Sequence, residues 1–583
     1  MRKTKILATL GPASNDVKTM KKMIKAGLDA ARINFSHGTY ESHTETINNL
    51  KEARKALGVP IPLIQDTKGP EIRIKTFDTD RIYLEQGAEF TLTTDDIIGN
   101  EKIVAVTYAD LPMNLREGGR VMIDDGLIEL KVRSLTDKEV RCVVVNSGFL
   151  SARKGVNIPD VFVNLPSITD QDVEDIKFGI KMGFDYLAAS FIRTANDVLN
   201  IREVLEKNGG DHIRIISKIE SREGVDNIDA ILEVSDGIMV ARGDLGIELP
   251  PEEVPLVQKN LIQRANVVGK PVITATHMLE SMTKNPRPTR AEANDVANAI
   301  FDGTDVVMLS GETAGGNYPV ESIDMMARIA LKAESSIDYY NEVSNRHVNF
   351  NKNITNAISF AACSTAGDLN AVCIVPITDS GFAARMVSRS RPSCPILAIT
   401  TNEVVSRQMN LTWGCTPVLV DTITGSDEAF DVAEEMALKS GLAKTGDTIV
   451  ALAGVPIGVA GTTNAMRVRT VGNVLAKGEG NKKGVVKGLT RVFKMAEEKE
   501  PYFERGDIIV STLTTDDQME FIKKAGAIIV GSWEQVDMSH AETVAKALDI
   551  PLIVSDTRVI DLIGDGIAVT VDSDEGFVYN GFR

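Results

Sequence analysis

Residues 213–244 read IRIISKIESREGVDNIDAILEVSDGIMVARGD: an apolar run closing on a lysine and a glutamate, a helical segment, and a second apolar run closing on an arginine and an aspartate. This is the pattern of strand, helix and parallel strand. It recurs along the chain as eight runs: KTKILATLG, AARINFSHG, IPLIQDTKG, YLAASFIR, IRIISKIES, GIMVARGDLG, KPVITATHML and DVVMLSGET, the last ending at Thr313. Eight such units predict a closed (β/α)8 barrel, with its chemistry on the face where the strands end. The polar residues that finish the strands are Arg32, Asn34, Ser36, Asp66, Thr67, Lys218, Glu220, Arg242, Asp244, Thr276, Ser310 and Glu312. Solvated loop ends account for any one of them but not for the set.

The barrel is expected over 1–69 and 168–340, with an insertion at 70–167 that lacks helical periodicity. The insertion's runs IRIKTF, IYLEQGAEFTLTT, KIVAVTY, RVMIDDGLIELKV and VRCVVVN, set between Gly and Asp turns, predict a small β-barrel. Placed in a barrel loop, it overhangs the active face and reads as a lid. After a polar stretch at 338–353, a new α/β alternation predicts a third domain over 354–473, and a final α/β unit follows over 474–583. Four domains suit the length of 583 residues at about 150 per domain.

With 43% hydrophobic and 25% charged residues, the composition is that of a globular protein. The net charge of −17 repels nucleic acid and anionic membrane, so any polyanionic ligand needs a local basic pocket. The opening apolar run is too short for a signal peptide, and no stretch approaches the length of a membrane span. The five cysteines show no metal or disulfide spacing, which fits a reducing cytoplasm.

Lys218 and Glu220 are two apart on a strand, so they point to the same, inward side. Asp244 ends the next strand and brings a second carboxylate. Two carboxylates with open positions suit magnesium, which prefers oxygen ligands and keeps water or substrate in its shell. Gly243 permits close backbone approach, and the helix starting there offers free amides to an anion. With Arg32, Arg73, Thr276, Ser310 and Glu312, these residues describe a magnesium-assisted site for a phosphorylated carboxylate.

Residues 30–38 (AARINFSHG), 66–73 (DTKGPEIR), 216–224 (ISKIESREG), 239–249 (MVARGDLGIEL) and 285–316 (NPRPTRAEANDVANAIFDGTDVVMLSGETAGG) resemble pyruvate kinase, and the resemblance runs from the start to about 473. The last 110 residues resemble the extra C-terminal sequence of Bacillus-type pyruvate kinases, with MSHAETVAKALDIPLIV similar to the swivelling phosphohistidine domain of phosphoenolpyruvate-using enzymes. The resemblance implies phosphoryl transfer from phosphoenolpyruvate to ADP, giving ATP and pyruvate in glycolysis. By motif position, Glu220 and Asp244 would hold magnesium, with manganese as an alternative. Lys218 would stabilise the transferring phosphoryl group and the enolate, Arg32 would pair with the phosphoryl group, and Thr276 with the amides near Gly243 and Asp244 would hold the carboxylate. Thr276, Ser310 and Glu312 are the candidates for protonating the enolate. Asn34, His37, Arg73 and Lys154 match nucleotide-contacting positions. His277 stands where the family more often has Gln and reads as a hydrogen-bonding stand-in for that amide.

Asn34 and Ser36 end one strand and Asp66 and Thr67 end its neighbour, gathering the hard oxygens a potassium ion requires. Glu71 lies beside them, where potassium-independent members of the family carry Lys. Thr378, Ser380, Gly381 and Gly461 resemble the family's sugar-phosphate effector site, although Phe382 and Ala383 replace residues that are often polar; an intact site and a vestigial loop both remain open, as does a nucleotide effector. His540 matches a phosphorylated position in related phosphotransferases, but a capping box of Ser539 and Glu542 suffices to explain that segment. The resemblance also implies a homotetramer. The alternative is a catalytically silent, metabolite-sensing protein on the same scaffold.

Overall fold

The computed structural model describes the chain except for residues 160, 162–164, 348–352, 457–462, 494–501, 532–536, 556 and 583; for 344–347 only the backbone is described. All eight runs form strands. Lys5–Thr9, Ala30–Asn34, Leu63–Asp66, Tyr186–Ala189, Arg214–Ile219, Gly237–Ala241, Val272–Ala275 and Val306–Leu309 close into a parallel barrel in chain order, the first pairing with both the second and the eighth. Strands buried on both faces explain why each reads as a continuous apolar run. Alternation then sorts the side chains. On the fifth strand Ile216 joins the barrel interior, and Ile215 and Ile219 join the layer beneath the outer helices.

The outer helices start where local sequence dictates. Thr169, Thr194 and Thr289 each make a capping box at the head of Asp170–Met182, Ala195–Lys207 and Arg290–Asp302. Gly183 and Gly303 end the first and last of these in the left-handed conformation that glycine adopts without steric cost.

The barrel floor is closed by a distant segment. Leu411 packs into the interior with Leu7, Ile64, Tyr186, Ile216 and Ile273. Around it, the Tyr186 hydroxyl donates to the Gln408 carbonyl at 2.9 Å, Asn410 Nδ2 to the Asp29 carbonyl at 2.7 Å, and Arg407 Nε to Asp185 Oδ1 at 2.8 Å. The polar strand ends lie at the opposite end of the barrel.

The inserted domain has a six-stranded and a two-stranded sheet sharing one core, which includes Phe90, Leu92, Val121, Leu130 and Val144. IRIKTF, expected as a strand, makes only isolated bridges, Arg73 to Gly155, Ile74 to Val106 and Phe77 to Gly99. It meets three segments in turn, one residue at a time, so no ladder forms.

Contact density divides the chain into two compact units, one chiefly Met1–Cys363 with Pro376–Thr422, the other chiefly Ser364–Val375, Ile423–Ile457 and Asn464–Arg583. Within the first, Ile396–Thr400 and Cys415–Leu419 run parallel. Within the second, Val485–Phe493, Ile508–Ser511, Ala527–Gly531 and Leu552–Ser555 form the parallel part of an eight-stranded mixed sheet. The expected capping box of Ser539 and Glu542 is not made. Ser539 already lies inside its helix, Met538 occupies the cap without a side-chain bond, and the Ser539 amide donates to Asp537 Oδ1 at 2.9 Å. Among the described residues, no helix is long and apolar enough to cross a membrane.

Candidate active site

Lys218 is the hub of the rim. Its Nζ donates to Ser190 Oγ at 2.8 Å and Asp66 Oδ1 at 3.2 Å and forms an ion pair with Glu220 Oε1 at 2.9 Å. The other Asp66 oxygen accepts from Arg32 Nε at 2.5 Å, and Arg32 Nη1 donates to Thr9 Oγ1 at 2.7 Å. Burial alone would raise the Asp66 carboxyl, but Arg32 and Lys218 outweigh it and hold the group below its ordinary range. Burial would likewise lower Lys218, yet Asp66 and Glu220 drive it upward, so the ammonium stays charged at physiological pH.

Glu220 and Asp244 share a desolvated pocket. The second Glu220 oxygen accepts the Phe191 amide at 2.6 Å, and Phe191 is held at φ 56° to present it. Glu220 is pushed up to about 7 by burial, with Lys218 opposing and Asp244 adding to the rise. Asp244 is raised first by burial and then by Asp125 of the inserted domain, against Lys218 and a hydrogen bond to Glu220. Two hard carboxylates repelling each other in a dry pocket fit a small divalent cation, whose charge would relieve the repulsion. Among the described residues, no group of three or more His, Cys, Asp or Glu could hold a metal ion.

Thr276 and His277 both adopt positive φ, 65° and 55°. Such strain at a β-branched residue costs on the order of 1–3 kcal/mol and persists where the surroundings enforce it. Here Arg242 enforces it, donating to the Ala275 carbonyl at 3.1 Å, the Thr276 carbonyl at 2.7 Å and Asp295 at 2.6 Å. The Gly243 amide, expected to be free, donates instead to Thr276 Oγ1 at 2.8 Å, because the strained threonine turns its hydroxyl onto the start of the helix Arg242–Glu248. Glu312 is fully buried and accepts the amides of Leu279 at 3.0 Å and Ser310 at 2.7 Å. Its carboxylate braces two chain segments. The Ser310 hydroxyl is buried and makes no hydrogen bond among the described residues.

The structure brings Asn34, Asp66 and Thr67 together on adjacent strand ends, with Asn34 in register with Asp66. Asn34 Oδ1 accepts the Ser36 amide at 3.0 Å, and Ser36 and His37 themselves are exposed. The Arg73–Gly155 bridge sets the Arg73 segment alongside Lys154, whose carbonyl accepts the Ile74 amide at 3.0 Å. Arg73 pairs with Glu71 at 2.5 Å and donates to the Arg153 carbonyl at 2.6 Å, while Lys154 pairs with Asp124 at 2.9 Å. A cavity of about 580 Å³ opens beside Glu220, walled by Ile72, Val156 and Ile158 of the insertion and by Phe191 and Arg222 of the barrel.

Away from the rim, Thr378, Ser380 and Gly381 gather at the start of the helix Phe382–Arg389, with Gly381 at φ 74° as its cap. The Ser380 carbonyl accepts from Arg214 at 2.5 Å and from Arg385 at 3.2 Å. Gly461 lies outside the described residues, as do Gln535 and Val536 before His540. The His540 ring nitrogens meet Thr514 Oγ1 at 2.9 Å and Asp516 Oδ1 at 3.2 Å. Sequence reasoning missed Ser190, Phe191 and Thr9. Ser190 was findable, as the first polar residue after the run YLAA, whereas Phe191 acts through its backbone and Thr9 through a side chain on the neighbouring strand.

Fold and site together define a (β/α)8-barrel enzyme. The family described as "Pyruvate kinase, barrel domain" matches residues 1–323, "Pyruvate kinase, alpha/beta domain" matches 356–469, and "PEP-utilising enzyme, mobile domain" matches 503–576. A pyruvate kinase of Geobacillus stearothermophilus is 47% identical over 582 residues, covering 100% of this chain and 99% of that one. One from Sporosarcina psychrophila is 46% identical over 583 residues with the same coverage. Among solved structures, a pyruvate kinase from Cryptosporidium parvum superposes with a TM-score of 0.77 at 40% identity, covering 81% of this chain and 96% of that chain. The chain belongs to the pyruvate kinase family and is a phosphotransferase.

Proposed function

We propose that this enzyme transfers the phosphoryl group of phosphoenolpyruvate to ADP, giving ATP and pyruvate, as a cytoplasmic step of glycolysis. The observation that carries the reading is the rim around Lys218: a fixed ammonium touching Asp66, Ser190 and Glu220 beside a second buried carboxylate, Asp244. Phosphoryl transfer asks mainly for positioning and charge neutralisation, and this rim supplies both.

Glu220 and Asp244 would hold magnesium, or manganese in its place, which when bound screens the negative charge of the substrate's phosphoryl and carboxylate oxygens. Asn34, Ser36, Asp66 and Thr67 would hold potassium. Arg32 and Lys218 lie on either side of Asp66 and face the phosphoryl group with fixed positive charge. As the phosphoryl group leaves, Lys218 stabilises the enolate oxygen. The Thr276 hydroxyl, which accepts the Gly243 amide and donates to the Ala275 carbonyl, turns its proton from that carbonyl to the substrate carboxylate. Enolpyruvate then gains a proton at carbon. Glu312 is committed to two amides, which leaves Thr276 Oγ1 and Ser310 Oγ to pass that proton.

ADP would meet Asn34, His37, Arg73 and Lys154, the last two carried by the lid. Thr378, Ser380 and Gly381 form the part of a sugar-phosphate or nucleotide effector loop that lies within the described residues, and a homotetramer is the assembly. We assign the domains as barrel 1–69 and 168–340, lid 70–167, regulatory 354–473 and C-terminal 474–583. A coupled assay of ATP formation from ADP and phosphoenolpyruvate, with and without magnesium, tests the reading. A soluble full-length protein that binds both substrates without turnover would make it a silent sensor instead.

A further inference from the structure

We propose that Ser190 is the positioning residue that aims Lys218 and ties it to the strand-end oxygens assigned to potassium. The inference rests on the kinase reading above. Ser190 follows the fourth barrel strand and is 3% exposed. Its hydroxyl has one proton to give and lone pairs to receive. Three partners surround it: the Thr67 carbonyl at 2.7 Å, Lys218 Nζ at 2.8 Å and Asp66 Oδ1 at 3.4 Å. Lys218 only donates, so the serine oxygen accepts from it. The single serine proton therefore goes to an oxygen, and the shorter contact gives it to the Thr67 carbonyl.

The clasp between the two residues is reciprocal. The Ser190 amide donates to Thr67 Oγ1 at 3.2 Å, and the next amide, of Phe191, reaches Glu220. Gly69 makes room for it: at φ 72°, a Cβ there would sit 2.9 Å from the Ser190 Cβ. Lys218 then has three partners, two by hydrogen bonds and Glu220 by an ion pair. Asp66 and Glu220 supply charge, and the neutral hydroxyl supplies direction, fixing the rotation about the Cε–Nζ bond. The same hydroxyl fixes where the Thr67 carbonyl points. Aim of the lysine and shape of the cation shell are set by one side chain.

The test uses the full chain with Ser190→Ala and Ser190→Thr. Losing a hydrogen bond to a charged group should lower kcat about ten- to hundredfold. The KM for ADP should stay within about twofold, the potassium needed for half-maximal activity should rise, and threonine should restore most of the rate. Independently of turnover, the rise in melting temperature on exchanging sodium for potassium should shrink in the alanine variant and return in the threonine variant. Wild-type turnover in the same assay shows that the kinase reading stands, so its failure is separable from failure of this inference. An unchanged kcat in Ser190→Ala, or a loss that threonine does not restore and that leaves the potassium response of the melting temperature intact, overturns it. If the alanine variant does not fold, Ser190→Cys, a weak acceptor of similar size, is read by the same criteria.

Discussion

Gly243 donates its amide hydrogen to the hydroxyl of Thr276 at 2.8 Å, and that hydroxyl donates in turn to the Ala275 carbonyl at 2.7 Å, so the two donors expected to receive a substrate carboxylate are held by protein oxygens until one arrives. Binding is therefore an exchange in which the amide and hydroxyl hydrogens turn from protein oxygens to the carboxylate. Thr276→Val keeps the shape and removes the exchange. It should raise the KM for phosphoenolpyruvate at least about tenfold, since the carboxylate loses a hydroxyl donor. An unchanged KM in steady-state assays would show that the carboxylate sits elsewhere.

Lys218→Met should abolish turnover while leaving phosphoenolpyruvate binding within about tenfold, because the ammonium matters most as the enolate develops. Retention of a tenth of the wild-type rate would remove Lys218 from the mechanism.

Glu312 and Ser310 separate brace from chemistry. Glu312→Gln turns an amide NH2 toward one of two backbone donors, and the clash should cost about 1–3 kcal/mol, seen as a lower melting temperature. Ser310→Ala removes a hydroxyl with no bond to lose, so its melting temperature should hold while kcat falls if it passes the proton. Equal stability in Glu312→Gln would contradict the brace.

Glu220 sits at about 7, against an ordinary 4.5, chiefly through burial. A raised carboxyl keeps its proton in the fold where the unfolded chain has lost it, so its contribution to stability is greatest at low pH and is lost as pH rises from about 4.5 to about 7. Magnesium needs the ionised form, so its apparent affinity should weaken below pH 7 by about tenfold per unit. Melting curves without magnesium should show this fall with rising pH, and Glu220→Gln or added magnesium should flatten it. An identical slope in Glu220→Gln would place the titration elsewhere.

Glu71 is paired with Arg73 at 2.5 Å. Glu71→Lys breaks that pair and replaces the carboxylate with a fixed cation next to the segment proposed to hold potassium. Activity should appear in sodium-only buffer with little further response to potassium, and the KM for ADP should rise several-fold as Arg73 is repelled. A wild type equally active in sodium and potassium at matched ionic strength would end the potassium assignment.

The barrel was legible because a strand buried on both faces must be apolar throughout and its polar terminus therefore stands out. Lys218 and Glu220 were legible by alternation alone. Where partners come from distant segments, sequence fell silent. Nothing near Gly243 says that Thr276 bends back to it, nothing near Glu312 names Leu279, and IRIKTF has strand composition but no neighbour running alongside it. The expected helix cap at Ser539 failed for a related reason: Asp537, outside the motif, took the amide.

Leu411 has a consequence for synthesis. The floor of a barrel whose last strand ends at Leu309 waits for a residue about a hundred positions later, so a ribosome must translate well past the eighth strand before that hydrophobic opening can be filled. The nascent barrel stays open at its base through that interval, and its completion is timed by the arrival of the 407–411 segment rather than by its own final strand.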